Sequence, residues 1–144
     1  MGELRPPKLS RDELDQLLRR EFPQIFEGAA YTIDAVRHGG SSVRWHYDPL
    51  ALRPGGTISG PTMMELADFA TFVAILATVG WVPLAVTTNL NINFLRKPAP
   101  CGLLAEATIL KLGKRLAVLE VGMRTDGEAE LVAHATATYS IPSR

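Results

Sequence analysis

The chain has 144 residues, enough for one domain with a hydrophobic core, and 47% of them are hydrophobic. Its 15 basic and 15 acidic residues give a formal net charge of zero, so we expect neither nucleic acid nor a membrane as a partner. The single cysteine, Cys101, excludes an internal disulfide and is typical of a reducing compartment. The charged N-terminus without an apolar stretch predicts no signal peptide, and we therefore expect a cytoplasmic protein.

The N-terminal region predicts a short amphipathic helix. Ser10 and Glu13 match the capping-box pattern S-x-x-E, so a helix is expected to begin after Ser10. Four apolar residues follow at helical spacing before Pro23 ends the helix: Leu14, Leu17, Leu18 and Phe22. We predict that residues 1–28 form a loose tail and a packing helix, and that residues 29–144 form the main domain.

Alternation of apolar and polar residues predicts strands in the rest of the chain. The predicted strands cover residues 31–36, 43–48, 84–95, 103–112, 116–124 and 130–141. In the third of these, Leu90, Ile92 and Phe94 share one face, which indicates a half-buried strand. A loop rich in proline and glycine is expected over residues 49–60.

Between residues 59 and 80 the sequence predicts one long apolar helix. Ser59 or Gly60 can cap its start, Pro61 suits the first helical position, and Gly80 suits the residue just past the end. The stretch is close to the ~20 residues that a bilayer span needs. Two acids in its first half would each cost roughly 2.5–3.5 kcal/mol near a membrane centre, so we predict the buried helix of a soluble domain.

Those two acids, Glu65 and Asp68, are the only charged residues of the predicted helix. Their i, i+3 spacing makes them neighbours on one face, and we expect Glu65 to be the more exposed. An acid in a buried helix is costly unless it is satisfied or used. Asp68 is therefore either a structural acid that hydroxyl or backbone groups satisfy, or a group that takes part in chemistry.

The order of elements predicts an α+β fold. One helix, two strands, a long buried helix and four strands fit an antiparallel sheet of about six strands with the long helix along one face. The edges of such a sheet invite pairing with a second copy of the chain. We therefore expect a homodimer, or a homotetramer built as a dimer of dimers.

The loop before the long helix carries a motif. It reads Arg-Pro-Gly-Gly-Thr-Ile-Ser-Gly-Pro over residues 53–61, and Asp68 follows nine residues after its serine. A second characteristic segment, residues 86–99, reads Val-Thr-Thr-Asn-Leu-Asn-Ile-Asn-Phe-Leu-Arg-Lys-Pro-Ala. From about residue 29 to 142 the chain thereby resembles hotdog-fold acyl-CoA thioesterases of the phenylacetate-pathway (PaaI-like) branch.

In that branch the loop has the form Asn-x-x-Gly-x-x-His-Gly-Gly. Here Gly56, Gly60 and Asp68 hold their family places, whereas Arg53 replaces the asparagine and Ser59 replaces the histidine. The resemblance thus covers the fold more fully than it covers the site.

The resemblance implies roles for five residues at a site between two subunits. Asp68 would act as nucleophile or general base, and the Gly60 N–H, at the positive end of the helix, would stabilise the oxyanion. Ser59 would either cap the helix or donate a hydrogen bond to the acyl group. Thr87 of the other subunit would orient the water or the acid, and Thr88 is the alternative.

Other residues are candidates for substrate binding. Arg53 would meet a polar or anionic acyl group or remain a solvated loop charge, and Gly56 would either let the backbone approach the substrate or adopt a positive φ. Met64 belongs to the core or to the acyl pocket. Four basic residues are either coenzyme A phosphate ligands or solvated turn charges: Arg96, Lys97, Lys114 and Arg115. No cluster has metal-ligand spacing, so we expect no metal and no cofactor apart from the coenzyme A of the substrate.

The sequence leaves two functions open. The first is hydrolysis of an acyl-CoA or aryl-acyl-CoA thioester to the free acid and coenzyme A. The second is non-catalytic binding of acyl-CoA, favoured by the loss of the family asparagine and histidine. A hotdog hydratase is disfavoured because no acid–histidine pair lies near the helix.

Overall fold

The protein, represented by a computed structural model, is described here over residues 5–143, so residues 1–4 of the predicted tail lie outside the described residues. Helix α1 spans Arg11–Glu21 and helix α2 spans Gly60–Val79, with short 3-10 segments at Pro23–Ala29 and Pro49–Ala51. Eight strands complete the fold: β1 Tyr31–Arg37, β2 Gly40–Trp45, β3 Leu52–Arg53, β4 Thr57–Ile58, β5 Val86–Phe94, β6 Leu103–Leu112, β7 Leu116–Thr125 and β8 Leu131–Ser140.

Six of these strands form one sheet in the order β1-β2-β6-β7-β8-β5, and every neighbouring pair is antiparallel. Strands β1 and β5 are the edges of this sheet. The small β3–β4 hairpin stands apart and occupies the loop that precedes α2. The predicted α+β architecture, a six-stranded antiparallel sheet with a long helix along one face, is confirmed.

Helix α2 is the centre of the core. The Ser59 hydroxyl accepts the Thr62 N–H at 3.4 Å, and Gly80, with φ 101°, follows the last helical residue. By length and composition α2 could cross a membrane, but 72% of its most apolar window is buried inside the protein. Two buried threonines donate hydrogen bonds from their hydroxyls to carbonyls of the same helix, Thr71 to Asp68 at 2.7 Å and Thr78 to Ala74 at 2.8 Å. The prediction of a buried core helix is confirmed.

The N-terminal helix is capped as predicted and attached to the core. The Glu13 N–H donates to the Ser10 hydroxyl at 3.1 Å, and the Ser10 N–H donates to the Glu13 carboxylate at 2.9 Å. Before the helix, the Lys8 N–H donates to the Ala77 carbonyl of α2 at 2.7 Å. The expectation of a loose tail is therefore wrong at this point, because the end of α2 offers a free carbonyl there.

A bulge in β5 decides which of two threonines turns towards α2. Thr87 pairs with Tyr139 and Asn89 pairs with Thr138, which leaves Thr88 as an extra residue. The Tyr139 side of β8 is buried against the helix, so Thr87 lies on the helix side of β5. Unbroken alternation would have placed Thr88 on that side instead.

Strand β5 is less buried than its pattern indicated. Leu90 and Ile92 are only partly buried against the core, and Phe94 at the end of the strand is 51% exposed. The prediction of a half-buried strand is corrected to a mostly exposed edge strand, because β5 has a neighbour on one side only.

Candidate active site

The Asp68 carboxylate is fixed by two hydroxyl groups. The Thr87 hydroxyl donates to Asp68 Oδ1 at 2.5 Å, and the Tyr139 hydroxyl donates to the same oxygen at 2.8 Å. Tyr139 also lies 3.1 Å from the Asp68 carbonyl oxygen. Within residues 5–143 no protein hydrogen bond reaches Oδ2. The described residues thus hold the carboxylate through one oxygen only.

Tyr139 is a site residue that the sequence analysis missed. Its side chain is 2% exposed, and burial together with the negative charge of Asp68 raises the pKa of the Tyr139 hydroxyl. The hydroxyl therefore stays protonated and remains a donor. The signal was present in β8, where the buried face carries Ala133, Ala135 and Ala137 before this one polar aromatic residue.

Asp68, Thr87 and Tyr139 line a pocket of about 630 Å³. Much of its wall is apolar and comes from the N-terminal region, α2 and the segment after α2: Leu18, Phe22, Ile25, Phe69, Phe72 and Trp81. This volume and this mixture of an apolar wall with a few polar groups are typical of small-molecule sites.

Glu65 is exposed, as predicted, and has its own partner. The Tyr31 hydroxyl donates to Glu65 Oε1 at 2.5 Å, and burial, followed by that hydrogen bond, raises the pKa of Tyr31. Glu65 lines both the large pocket and a smaller one of about 230 Å³. In the described part of the chain no group of three His, Cys, Asp or Glu side chains could hold a metal ion.

The start of α2 lies away from the Asp68 pocket. The Ser59 hydroxyl caps the helix and also lies 2.8 Å from the Thr62 hydroxyl, so it is engaged locally. A side chain at Gly60 would stand 3.4 Å from the Phe94 ring. At ~1.5 Å of rise per residue, Gly60 and Asp68 are about 12 Å apart along the helix axis. Among the described residues, neither Ser59 nor Gly60 lines the pocket that contains Asp68.

The expectation that Thr87 acts from the other subunit is corrected. Thr87 contacts Asp68 of its own chain, because the bulge turns it towards α2. Thr88, the alternative, is exposed and donates to the Thr138 carbonyl at 3.1 Å. Thr88 is not among the described residues that line the Asp68 pocket.

Three further candidates, Arg53, Gly56 and Met64, lie on the surface, in the loop before α2 or on α2 itself. The predicted loop contains the β3–β4 hairpin, in which the Gly56 N–H donates to the Arg53 carbonyl at 3.0 Å and Gly56 has φ 77°. The conformation of Gly56 thus serves a tight turn. Met64 is 40% exposed, which excludes a place in the core. In the part of the chain that the structure describes, none of the three lines the Asp68 pocket.

The four basic candidates divide into two separate pairs. Arg96 follows β5 and forms an ion pair with Glu130 at 3.2 Å, and Lys97 beside it is exposed. Lys114 and Arg115 lie in the exposed β6–β7 turn, at the end of the sheet where β5 begins. Strand β5 separates the pairs by roughly 25 Å at ~3.3 Å per residue, so one protomer cannot bring all four to one phosphate.

Residues 55–132 match the family model of the thioesterase superfamily. The chain belongs to the thioesterase superfamily. Among solved structures, a candidate thioesterase from Silicibacter sp. TM1040 is 41% identical, with 94% of each chain covered and a TM-score of 0.85. A candidate thioesterase related to phenylacetic acid degradation, from Ralstonia eutropha JMP134, is 27% identical over 88% of this chain and 98% of that one, with a TM-score of 0.77.

A curated relative of this superfamily member is a candidate esterase from Saccharolobus solfataricus. It is 29% identical over 135 residues, which cover 94% of this chain and 87% of the relative. These likenesses confirm the predicted hotdog fold. They support a hydrolase that cleaves thioesters in general, and a carboxylate such as Asp68 in a mostly apolar pocket suits such a reaction.

Proposed function

We propose that this thioesterase-superfamily chain hydrolyses an acyl-CoA or aryl-acyl-CoA thioester to the free acid and coenzyme A, as a member of the PaaI-like branch. The observation that carries the proposal is the Asp68 carboxylate. Thr87 and Tyr139 hold its Oδ1, no hydrogen bond from residues 5–143 reaches its Oδ2, and Asp68 lines a mostly apolar pocket of about 630 Å³. An acyl group in this pocket would bring its carbonyl carbon to Asp68.

In the general-base route, Asp68 Oδ2 takes a proton from water while the water oxygen bonds to the acyl carbon. The tetrahedral oxyanion accepts a hydrogen bond from a backbone N–H, and collapse breaks the C–S bond. The departing thiolate then receives the proton. In the nucleophilic route, Oδ2 itself bonds to the acyl carbon, thiolate leaves, and water hydrolyses the resulting anhydride.

The oxyanion donor in this proposal is Gly60 of the second protomer. Gly60 and Asp68 of one chain are about 12 Å apart along α2, which is too far for both to contact one acyl carbon. Strand β5 is an edge strand of nine residues that carries Thr87 at one end and Phe94, beside Gly60, at the other. Pairing of two such edges in a homodimer would bring one chain's Asp68 towards the other chain's helix start. A dimer of dimers would keep this arrangement.

Coenzyme A recognition is the next part of the proposal. Arg96 and Lys97 follow β5 directly beyond Phe94, whose ring lies next to Gly60. They are therefore placed to meet the phosphates of a substrate whose thioester lies at that helix start. Lys114 and Arg115 remain predicted phosphate ligands from the other end of β5. We also propose a cytoplasmic location, which the free and exposed thiol of Cys101 supports.

A subunit-mixing experiment tests the shared site. Chains carrying Asp68→Asn and chains carrying Gly60→Ala are each expected to be inactive as homodimers on a panel of acyl-CoAs. The mixed dimer has one site with an intact Asp68 and an intact Gly60 from different chains. We expect thiol release to return to roughly half of the wild-type rate per mixed dimer. Failure of the mixed dimer, with both homodimers folded, would assign both groups to the same chain.

The second candidate function is non-catalytic binding of acyl-CoA, favoured by the position of Ser59. Its hydroxyl is engaged by Thr62 at the helix cap, where the family places a histidine. Isothermal titration and thiol release, measured on the same acyl-CoA panel, separate the two functions. Binding without thiol release for every member of the panel would favour the binder and contradict hydrolysis.

A further inference from the structure

We propose that the N-terminal helix and the turn after it form the end wall of the acyl pocket, and that Phe22 and Ile25 set the length of the acyl group. This inference rests on the proposed function, because it takes the pocket at Asp68 as the acyl site. Both residues line that pocket together with Asp68 and Thr87. The segment is thus part of the site as well as a packing helix.

The wall is held in place by contacts with the core. The Arg11 Nε donates to the Ile33 carbonyl of β1 at 2.7 Å, and Leu14 and Leu18 are fully buried. Such anchoring at both ends of α1 fixes the position of the wall against the sheet. A fixed wall limits ligand length, whereas a loosely attached one would yield to longer chains.

The turn after α1 presents its apolar side chains to the pocket. The Phe22 N–H still donates to the Leu18 carbonyl at 2.7 Å, and the Ile25 N–H donates to the Phe22 carbonyl at 3.2 Å. Phe22 and Ile25 are only partly buried, so their side chains remain available to a ligand. Phe26, next in the turn, is buried edge-on against Phe69 with ring centroids 6.0 Å apart.

Charge narrows the ligand class further. Among the described residues that line the pocket, the charged ones are all acids: Glu21, Glu65 and Asp68. The Glu21 charge is balanced in part by its ion pair with Arg20 at 3.3 Å, but Arg20 does not line the pocket. A carboxylate on the acyl group would therefore meet repulsion from the acids of the pocket wall, Glu65 above all. The acyl group that fits is therefore apolar and uncharged.

Phe22→Ala and Phe22→Trp test the wall in opposite directions. The readouts are kcat/KM on straight-chain acyl-CoAs from acetyl to palmitoyl and the Kd of the matching non-hydrolysable thioethers. We expect Phe22→Ala to shift the optimum to longer chains and Phe22→Trp to shorter ones. The ratio between long and short chains should change at least about tenfold, as for added or removed methylenes in an apolar pocket. Leu17→Ala, on the same helix but outside the pocket wall, is the matched control.

Ile25→Ala provides a second test if a Phe22 variant loses its fold, as judged by circular dichroism and thermal unfolding. An unchanged chain-length profile in folded variants of both positions would overturn the inference, as would strong binding of a succinyl-CoA thioether. A shift in the thioether Kd profile without thiol release by wild-type protein would support the wall and contradict the proposed hydrolysis. Thiol release by wild-type protein, with the chain-length profile of the variants unaltered, would support the proposed hydrolysis and contradict the wall.

Discussion

Thr87 and Asp68 are 19 positions apart in the chain, and their side chains meet at 2.5 Å between Oγ1 and Oδ1. The contact joins the start of β5 to the third turn of α2. Tyr139, from the last strand, donates to the same oxygen at 2.8 Å. Side chains from two distant strands therefore orient one carboxylate of α2 through its Oδ1. Among residues 5–143 none forms a hydrogen bond with Oδ2, and in the proposed reaction this oxygen acts on water or on the acyl carbon.

Asp68→Asn should lower kcat at least about 10²-fold, because an amide cannot accept the proton of water or attack the acyl carbon. The amide is close in size to the carboxylate, so the fold should persist. Thiol release and thermal unfolding measure the two effects. The control is Glu128→Gln, an exposed acid in the β7–β8 turn. Wild-type turnover in the Asp68 variant would remove this residue from the reaction.

Thr87→Ala should reduce kcat by about tenfold or more, since a hydrogen bond to a charged group contributes about 1.5–3 kcal/mol. Thr87→Ser keeps the hydroxyl and should retain most activity. Thr88→Ala is the neighbouring control, and its effect should be small because the Thr88 hydroxyl points to the Thr138 carbonyl. A larger loss in the Thr88 variant than in the Thr87 variant would contradict the assignment that the bulge implies.

Tyr139→Phe should lower kcat by about tenfold or more, since a hydrogen bond to a charged group contributes about 1.5–3 kcal/mol. The variant removes one of the two hydroxyl donors that hold Asp68 Oδ1 and keeps the aromatic ring in place. Thiol release and thermal unfolding measure activity and stability separately. If Tyr139 had only a packing role, the variant would change stability and leave kcat in place. Tyr47→Phe, at a partly exposed tyrosine, is the control.

The same variant has a signature in alkaline unfolding. Burial and the Asp68 charge raise the pKa of Tyr139 above its ordinary value of 10.0, so above that pH the unfolded chain releases this proton before the folded one. The contribution of this proton to the free energy of unfolding is fully present below about pH 10. Above that pH it declines by up to about 1.4 kcal/mol per pH unit. Tyr139→Phe should flatten the decline in denaturant titrations. An identical slope for wild type and variant would contradict the buried, Asp68-coupled hydroxyl.

Gly60→Ala should leave stability nearly unchanged, because the added Cβ would lie at an ordinary 3.4 Å from the Phe94 ring. Alanine keeps the backbone N–H, so the expected effect is steric: kcat should fall by about 10²-fold if the added methyl group displaces the acyl oxygen from the Gly60 N–H by about 1 Å. Thermal unfolding and thiol release together make the comparison. Pro61→Ala, one residue further along the same helix start, is the control, and full activity in the Gly60 variant would place the oxyanion elsewhere.

The fold was largely predictable from short-range patterns. The apolar run between the Ser59 cap and Gly80 located α2, and the alternation over residues 116–124 and 130–141 located the β7–β8 hairpin. Such signals depend on caps, turn residues and periodicity, which act within a few positions of the chain. The sequence could also identify Asp68 as an acid that requires an explanation, since few charges stand in a helix that is apolar on all sides.

The tertiary structure decided which residues contact Asp68. Period-two alternation along β5 cannot locate a bulge, because the bulge depends on pairing with β8, so the choice between Thr87 and Thr88 was open in the sequence. Tyr139, 71 positions from Asp68, reaches it only when β8 lies beneath α2. Likewise, the sequence shows Phe22 only as the end of an amphipathic helix. Its place in the pocket wall depends on how α1 packs against the core. Local sequence determined the elements and the central carboxylate, whereas strand register and packing between distant segments selected the groups that surround it.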